Sequence, residues 1–353
     1  MTRTMLAGID VGGSKIAVLV ADRALGPLGR HVVPTGVGDP GAAVDQVGEA
    51  VEATLRAAGL RHEDLAAIGI GVPGRVEPAT GVVTLAVNLG WHEVALGAGL
   101  ADRFGVPVAV ENDVKAAAAG LASRDLTSGI DDLAYLGIGT GISAGIVLGG
   151  RLYRGSRGLA GEIGHVVLQA DGPACQCGLL GCFEAIASGR GISSLGEAAA
   201  RAEAEDASGW SSLTQVLRAE GRLTAADVYA AAAAGDGAAI GIVEAAGRAV
   251  ARAVHLLVMT YDLQTVFIGG GVTGAGALFL EPVLRGLDEL RDRSPLAREA
   301  LGPDVVRVLA PDADAGAWGA VVLARTAAGP VHEVPVTGEP IRPAVAADQP
   351  RRR

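Results

Sequence analysis

Apolar positions along the chain come in short β-branched bursts separated by longer stretches with helical spacing. From Leu6 to Asp22 the sequence LAGIDVGGSKIAVLVAD reads as strand, glycine turn, strand, with β-branched residues flanking Gly12-Gly13. Pro40 after Asp39 suits a helix start, and Ala42 to Ala58 carries a helix that Gly59 closes. A buried strand is expected over Ala67 to Val72, stopped by Pro73-Gly74. Another is expected over Val106 to Val110, after which Asn112 or Asp113 opens an alanine-rich helix. Residues 133 to 150 form a second glycine hairpin. GIDVGGSKIAVLV from Gly8 and GIGTGISAGIVL from Gly137 are similar, an internal repeat that predicts two halves, each presenting a glycine turn to a shared cleft. The polar, alanine-rich stretch 190 to 236 is expected to be helical and peripheral. Ala238 to Leu257 is a long amphipathic helix leading into the strand Thr265 to Ile268 and then Gly269-Gly270-Gly271, and Asp314 to Arg325 is the last helix. Strands alternating with helices predict an α/β layered fold. Residues 327 to 353 hold prolines and a terminal run of arginines without apolar periodicity, so a disordered tail is expected.

Composition narrows this picture. With 353 residues, half of them hydrophobic, the chain can build a large core. Its 53 glycines follow no G-X-Y period, which excludes collagen and argues for many tight turns. A net charge of -10 has the wrong sign for a nucleic-acid or anionic-membrane partner. An aspartate interrupts the N-terminus before any apolar signal region forms, and the long uncharged run Leu133 to Gly150 is broken by glycines into β-type bursts. A cytoplasmic protein is expected. All three cysteines fall between 175 and 182, which argues for a metal or reactive site in a reducing compartment.

Three features carry chemistry. Asp10 stands beside Gly12-Gly13-Ser14-Lys15; bare backbone N–H groups can approach phosphate oxygens there, and an aspartate can hold Mg²⁺ directly or through water. The same residues also suit an ordinary hairpin turn. Gly139-Thr140-Gly141 adds a hydroxyl and further N–H groups without a carboxylate. Gly269-Gly270-Gly271 could let a flat adenine or ribose lie against bare backbone. Neither a Walker GxxxxGK[ST] nor a Rossmann GxGxxG following a predicted strand is present. Glu111-Asn112-Asp113, between a strand end and a helix start, can cap the helix or supply a general base beside an orienting asparagine. Finally, His165, Cys175, Cys177 and Cys182 form a complete Cys₃His ligand set for structural Zn²⁺, with Gly178 and Gly181 letting the chain turn back; a cluster of free buried cysteines is the alternative. Glu162 and Glu184 bracket this knuckle and either decorate the surface or aim at one polyol.

These residues resemble the ROK family of bacterial sugar kinases and related repressors, which has the two-lobed actin-like ATPase (ribonuclease-H-like) fold. The phosphate turn appears as Asp10-Val11-Gly12-Gly13-Ser14-Lys15, the ENDxxAA segment as Glu111 to Ala117, and the zinc signature as Arg154 to Gly189. The resemblance covers roughly residues 5 to 326. It implies a first lobe of residues 1–115 with 311–326, and a second of 116–310 carrying the zinc knuckle and nucleotide site. It implies Asp113 as general base, with Gly74, Asn88, Asn112, Glu162, His165 and Glu184 holding the sugar, and His165 also ligating zinc. Asp10, Gly12, Gly13, Ser14 and Lys15 with Gly139, Thr140 and Gly141 would hold phosphates, while Gly270 and Gly271 border the nucleoside.

The activity so implied is in-line transfer from ATP, with Mg²⁺, to a hexose 6-hydroxyl by a homodimer or homotetramer. Glucose is the expected sugar, because two buried carboxylates aimed at hydroxyls would favour a free 2-hydroxyl over an acetamido group. N-acetylhexosamine kinase, fructokinase and a non-catalytic sugar sensor are the alternatives. Family repressors carry an N-terminal helix-turn-helix, and the Asp10 motif stands too near the first methionine for one to be expected. Departures from the family pattern are Lys115, Leu121, Ile142-Ser143-Ala144 in the second turn, and Ala86-Val87-Asn88, where a proline is lost and the asparagine kept.

Overall fold

The computed structural model describes residues 3–36, 39–123, 129–204, 211–310 and 313–329. The tail beyond Gly329, expected to be disordered, lies outside these residues. The chain divides into two compact units, one running up to Ile130 and taking in the last helix, the other beginning at Asp131.

The first unit comprises β1 (Met5–Val11), β2 (Lys15–Asp22), β3 (Pro27–Pro34), α1 (Ala43–Ala57), β4 (Leu65–Val72), β5 (Arg75–Glu77), β6 (Val82–Ala86), β7 (Trp91–Val94), α2 (Leu96–Phe104), β8 (Val108–Asn112) and α3 (Asp113–Leu121). Its main sheet has the order β3-β2-β1-β4-β8, with β1, β2 and β3 antiparallel and β4 and β8 parallel to β1. β5, β6 and β7 form a small separate sheet. The strand expected at Val106 starts later, at Val108, because Pro107 has no N–H to give the ladder, although its carbonyl still accepts from Ile68 at 3.0 Å. β8 instead runs on to Asn112, paired with Val72, which delivers Asn112 and Asp113 to the carboxyl end of the sheet.

The second unit repeats this plan with β9 (Leu133–Ile138), β10 (Ile142–Leu148), β11 (Arg151–Tyr153), α4 (Phe183–Ala187), α5 (Gly189–Ala204), α6 (Ser212–Glu220), α7 (Ala225–Ala233), α8 (Gly237–Tyr261), β12 (Thr265–Gly269), α9 (Ala277–Arg293), α10 (Pro295–Ala300) and β13 (Val306–Val308). Its sheet order β11-β10-β9-β12-β13 has the same three antiparallel and two parallel strands. Two units, each with a glycine turn joining the first two strands of its sheet, are what the internal repeat predicted. The region 133–150 is a hairpin, and among the described residues no helix is long and apolar enough to cross a membrane.

α11 (Ala315–Ala327) returns to the first unit and packs on β1, β4 and α3. It covers the face of the first sheet opposite α1 and α2, burying Ala317, Val321 and Ala324 against Leu6 and Ala67, while Val47, Val51 and Leu100 bury the other face. The approach is close enough that a Cβ at Gly69 would overlap the Ala320 carbonyl. Part of the glycine excess therefore serves helix-on-sheet contact and not turns. Because α3 lies in this layer, the first unit continues past residue 115, where the sequence placed the change of lobe, to Ile130. The stretch 190–236 is helical where described but not peripheral. Ile192, Ala200, Leu213, Leu223, Val228 and Tyr229 join the same core as Leu136 and Ile268, an apolar stripe that alanine-rich composition had masked.

Candidate active site

In the first unit the phosphate turn joins β1 to β2. The Gly12 N–H donates to the Lys15 carbonyl at 2.8 Å, and the Thr35 hydroxyl beyond β3 donates to the Gly12 carbonyl at 2.8 Å. Asp10 stands just before this turn, in register with Ala17 on one side and Gly71 on the other. Its carboxyl pKa is pushed from 3.8 up to about 7, chiefly by burial, then by the charges of Asp113 and Asp314, against the opposing pull of Lys15. The start of α11 fits around this carboxylate: a Cβ on Gly316 would stand 2.6 Å from Asp10 Oδ2. Just before that helix, Asp314 has φ of 44° and pairs with Arg30 on β3 through Nε at 2.6 Å and Nη2 at 3.1 Å.

Asn112 performs the helix capping that the sequence left open between it and its neighbour. Its Oδ1 accepts from the Val114 and Lys115 N–H groups at 3.1 Å, and its Nδ2 donates to the Gly74 carbonyl at 3.1 Å. Asp113 is the first helical residue and accepts the Val114 N–H at 2.9 Å through Oδ1. Asn88 lies in the short turn Val87–Leu89, its Cβ 3.8 Å from where a Cβ of Gly13 would be. The unit thus gathers Asp10, the Gly12–Lys15 turn, Gly74, Asn88, Asn112 and Asp113. Sequence reading missed Thr35, Arg30 and Asp314, whose partners are brought together only by tertiary folding. Lys115, the departure from the family pattern, is buried on α3.

In the second unit, His165, Cys175, Cys177 and Cys182 bring one ligand atom each within 4.8 Å of one another. Cys177 Sγ lies 3.6 Å from Cys182 Sγ, and His165 Nδ1 3.7 Å from Cys175 Sγ. A tetrahedron with ~2.3 Å Zn–S and ~2.0 Å Zn–N bonds has edges of about 3.5–3.8 Å, which these two spacings approach, so the donor set suits the ion. Burial and the facing thiols push Cys182 up to about 12, whereas a backbone hydrogen bond from Leu179 draws Cys177 down. Three thiols so placed could be taken as thiolates by a bound cation. The knuckle is a tight double-back in which the Cys175 N–H donates to the Leu179 carbonyl at 2.8 Å. Gly181, with φ of 69°, sits where any Cβ would overlap the Gln169 carbonyl.

Glu162 precedes the short turn Ile163–His165 and is exposed, so the expectation of two buried carboxylates beside the knuckle is corrected: this one faces water, and Glu184, on α4, is only partly buried. Glu184 Oε2 accepts the Ile142 N–H at 2.8 Å. The Gly139–Gly141 turn is further held by the Gly189 N–H on the Gly139 carbonyl at 2.8 Å. Gly270, with φ of 102°, packs its bare backbone on the Ile138 carbonyl at the end of β9, so the third glycine cluster adjoins the second turn.

The chain matches the ROK family over residues 6–327. It is 33% identical to a glucokinase of Halalkalibacterium halodurans across 80% of this chain and 85% of that protein. It is 33% identical to an N-acetylmannosamine kinase of Citrobacter koseri across 90% of this chain and 97% of that protein. A ROK family glucokinase from Streptomyces griseus, solved in complex with glucose and AMPPNP, superposes with a TM-score of 0.71 at 32% identity, covering 91% of this chain and 99% of that one. With its repeated sheet, its phosphate turn and its Cys₃His knuckle all in place across this match, the chain belongs to the ROK family.

Proposed function

We propose that the protein is an ATP-dependent hexose kinase, a glucokinase that phosphorylates the sugar 6-hydroxyl. The observation that carries this reading is the pairing of two carboxylates beside one glycine turn: Asp10 is in register with Gly71, whose Cβ would stand 3.2 Å from Asp113 Cα. One suits a metal-assisted phosphate site and the other a base. Asp113 takes the hydroxyl proton, while Asn112, fixed by its bonds to the helix start and to Gly74, orients the same hydroxyl. Asn88 and the Gly74 backbone are the further sugar-binding candidates of the first unit, and Glu162, His165 and Glu184 those of the second. In the first unit Lys15 and the N–H groups of Gly13 and Ser14, beside the Gly12 turn, would meet phosphate oxygens; in the second Thr140 and Gly141 are the phosphate candidates, and Gly270 and Gly271 would border the nucleoside. Asp10 would hold Mg²⁺, directly or through water. Bound Mg²⁺ neutralises charge on the transferring phosphoryl group. His165 and the three cysteines would hold Zn²⁺, which would contribute folding free energy, and His165 would keep its other ring nitrogen for a hydroxyl. A reducing compartment such as the cytoplasm suits those thiolates.

Coupled ADP release across glucose, mannose, fructose, N-acetylglucosamine and N-acetylmannosamine tests the assignment. Highest kcat/KM on glucose is expected. The similarity to an N-acetylmannosamine kinase over almost the full length of both proteins favours that second reading, and highest kcat/KM on an N-acetylated sugar would establish it in place of glucokinase. Asp113→Asn keeps shape and loses the proton acceptor, so kcat should collapse while the sugar still binds. An unchanged kcat would remove Asp113 from the role of base.

A further inference from the structure

Glu184 sits where two demands on the second unit meet. It is on the short helix α4, which begins immediately after the knuckle residue Cys182. Its Oε2 is not directed at solvent but accepts the Ile142 N–H at 2.8 Å, and a Cβ on Gly141 would stand 2.6 Å from that same oxygen. Ile142 closes the second glycine turn. The remainder of that turn is fastened from the same side: the Gly189 and Arg190 N–H groups donate to the Gly139 and Thr140 carbonyls at 2.8 and 3.4 Å, and the Arg190 guanidinium reaches Gln176, between two knuckle cysteines. Inside the turn the Gly139 N–H donates to the Gly141 carbonyl at 3.0 Å. With Gly139 and Ile142 so occupied, the turn offers the Thr140 and Gly141 N–H groups and the Thr140 hydroxyl to a phosphate. Their direction depends on Ile142 staying where Glu184 holds it.

We propose that Glu184 is a positioning residue for the nucleotide turn. It fixes the phosphate-binding geometry of Thr140 and Gly141 through the Ile142 N–H, in addition to any contact it makes with the sugar. The inference rests on the reading of this turn as a nucleotide-phosphate site. One carboxylate carries both tasks: Oε2 anchors the turn and Oε1 is the atom left for a sugar hydroxyl. Sugar bound at Oε1 restrains the carboxylate and hence the turn, so sugar and nucleotide should each raise the affinity for the other by the same factor.

The test is titration calorimetry of the zinc-loaded full-length protein with AMPPNP and Mg²⁺ in the absence of sugar, for wild type, Glu184→Ala and Glu184→Gln. Alanine removes a charge-assisted hydrogen bond, and about tenfold weaker AMPPNP binding is expected. Glutamine can present its carbonyl oxygen to the Ile142 N–H, so it should recover most of that affinity while glucose binding stays impaired. A residue that only touches sugar would leave AMPPNP binding unchanged in both variants, and that result overturns the proposal. Gly141→Ala places a methyl against Oε2 without altering Glu184. It should weaken AMPPNP binding in the wild-type background and have little further effect beside Glu184→Ala. Full additivity of the two would also overturn the proposal, and this cycle still reports if one variant is only marginally stable. Wild-type protein that binds no AMPPNP overturns the nucleotide reading together with the inference, whereas normal wild-type binding with an indifferent Glu184 sinks the inference alone.

Discussion

Replacing Asp10 by asparagine should make the metal-free protein more stable while abolishing phosphoryl transfer. Asp10 is partly buried at the end of β1, with Asp113 and Asp314 adding negative potential, and its pKa stands at about 7 against 3.8. The folded state thus keeps the proton that the unfolded chain releases from about pH 4 upward. Stability is full below the unfolded value, falls as pH rises between 4 and 7, and is lowest above 7, where an ionised carboxylate remains in the fold. A difference of about three pH units at ~1.36 kcal/mol each bounds the loss at ~4 kcal/mol, and residual exposure of the carboxylate brings the expected value nearer 2 kcal/mol. Asparagine mimics the protonated form and escapes this loss. Denaturant unfolding of zinc-loaded wild type and Asp10→Asn in Mg²⁺-free buffer without chelator, at pH 5 and pH 8, should show an advantage for asparagine that grows with pH. Added Mg²⁺ should stabilise wild type selectively. Asp113→Asn removes one source of the repulsion and should reproduce part of the gain. An advantage for asparagine that shrinks toward pH 8, or wild type more stable than the variant throughout, would refute the assignment of Asp10 as a strained carboxylate awaiting a cation.

Three other outcomes are expected. Protein purified without chelator should carry one zinc per chain by elemental analysis, and Cys175→Ser should lower both metal content and thermal stability, because the metal holds the knuckle together; zinc-free, equally stable wild type would contradict this. Gly69→Ala should cost several kcal/mol in denaturant unfolding, since its Cβ has no room between β4 and the Ala320 carbonyl and α11 must move outward; a change below ~0.5 kcal/mol would show that the layer yields easily. Gly181→Ala should loosen zinc, seen as faster release to a chromogenic chelator, because φ of 69° and the Gln169 carbonyl both disfavour a side chain there; release at the wild-type rate would deny the knuckle its rigidity.

Local chemistry makes much of this protein legible from its residues alone. Alternation around Gly12-Gly13 and Gly139-Thr140-Gly141 marks two hairpins of one kind, and both sheets are built from them with the same strand order. Three cysteines and a histidine at close spacing announce a metal site, because ligand type and short loops are properties of the chain itself. Other features depend on contacts between distant segments. Whether Asn112 or Asp113 caps α3 is undecidable from their adjacency, and is settled by Asn112 reaching both the helix start and Gly74. The buried stripe of α5 to α7 is hidden by alanine, which is equally at home inside and outside. Asp314 carries no local signal, yet Arg30 and the fit of α11 around Asp10 place its charge on the first unit's carboxylate pair. Glu184 looks like one more acid beside a metal knuckle until its oxygen is found on the Ile142 N–H. Sequence by itself determined the residue types, the periodicities and the ligand spacings, which act over a few residues. Tertiary structure alone decided which carboxylate faces which charge and which backbone group a side chain holds, because those depend on where segments far apart in the chain come to rest.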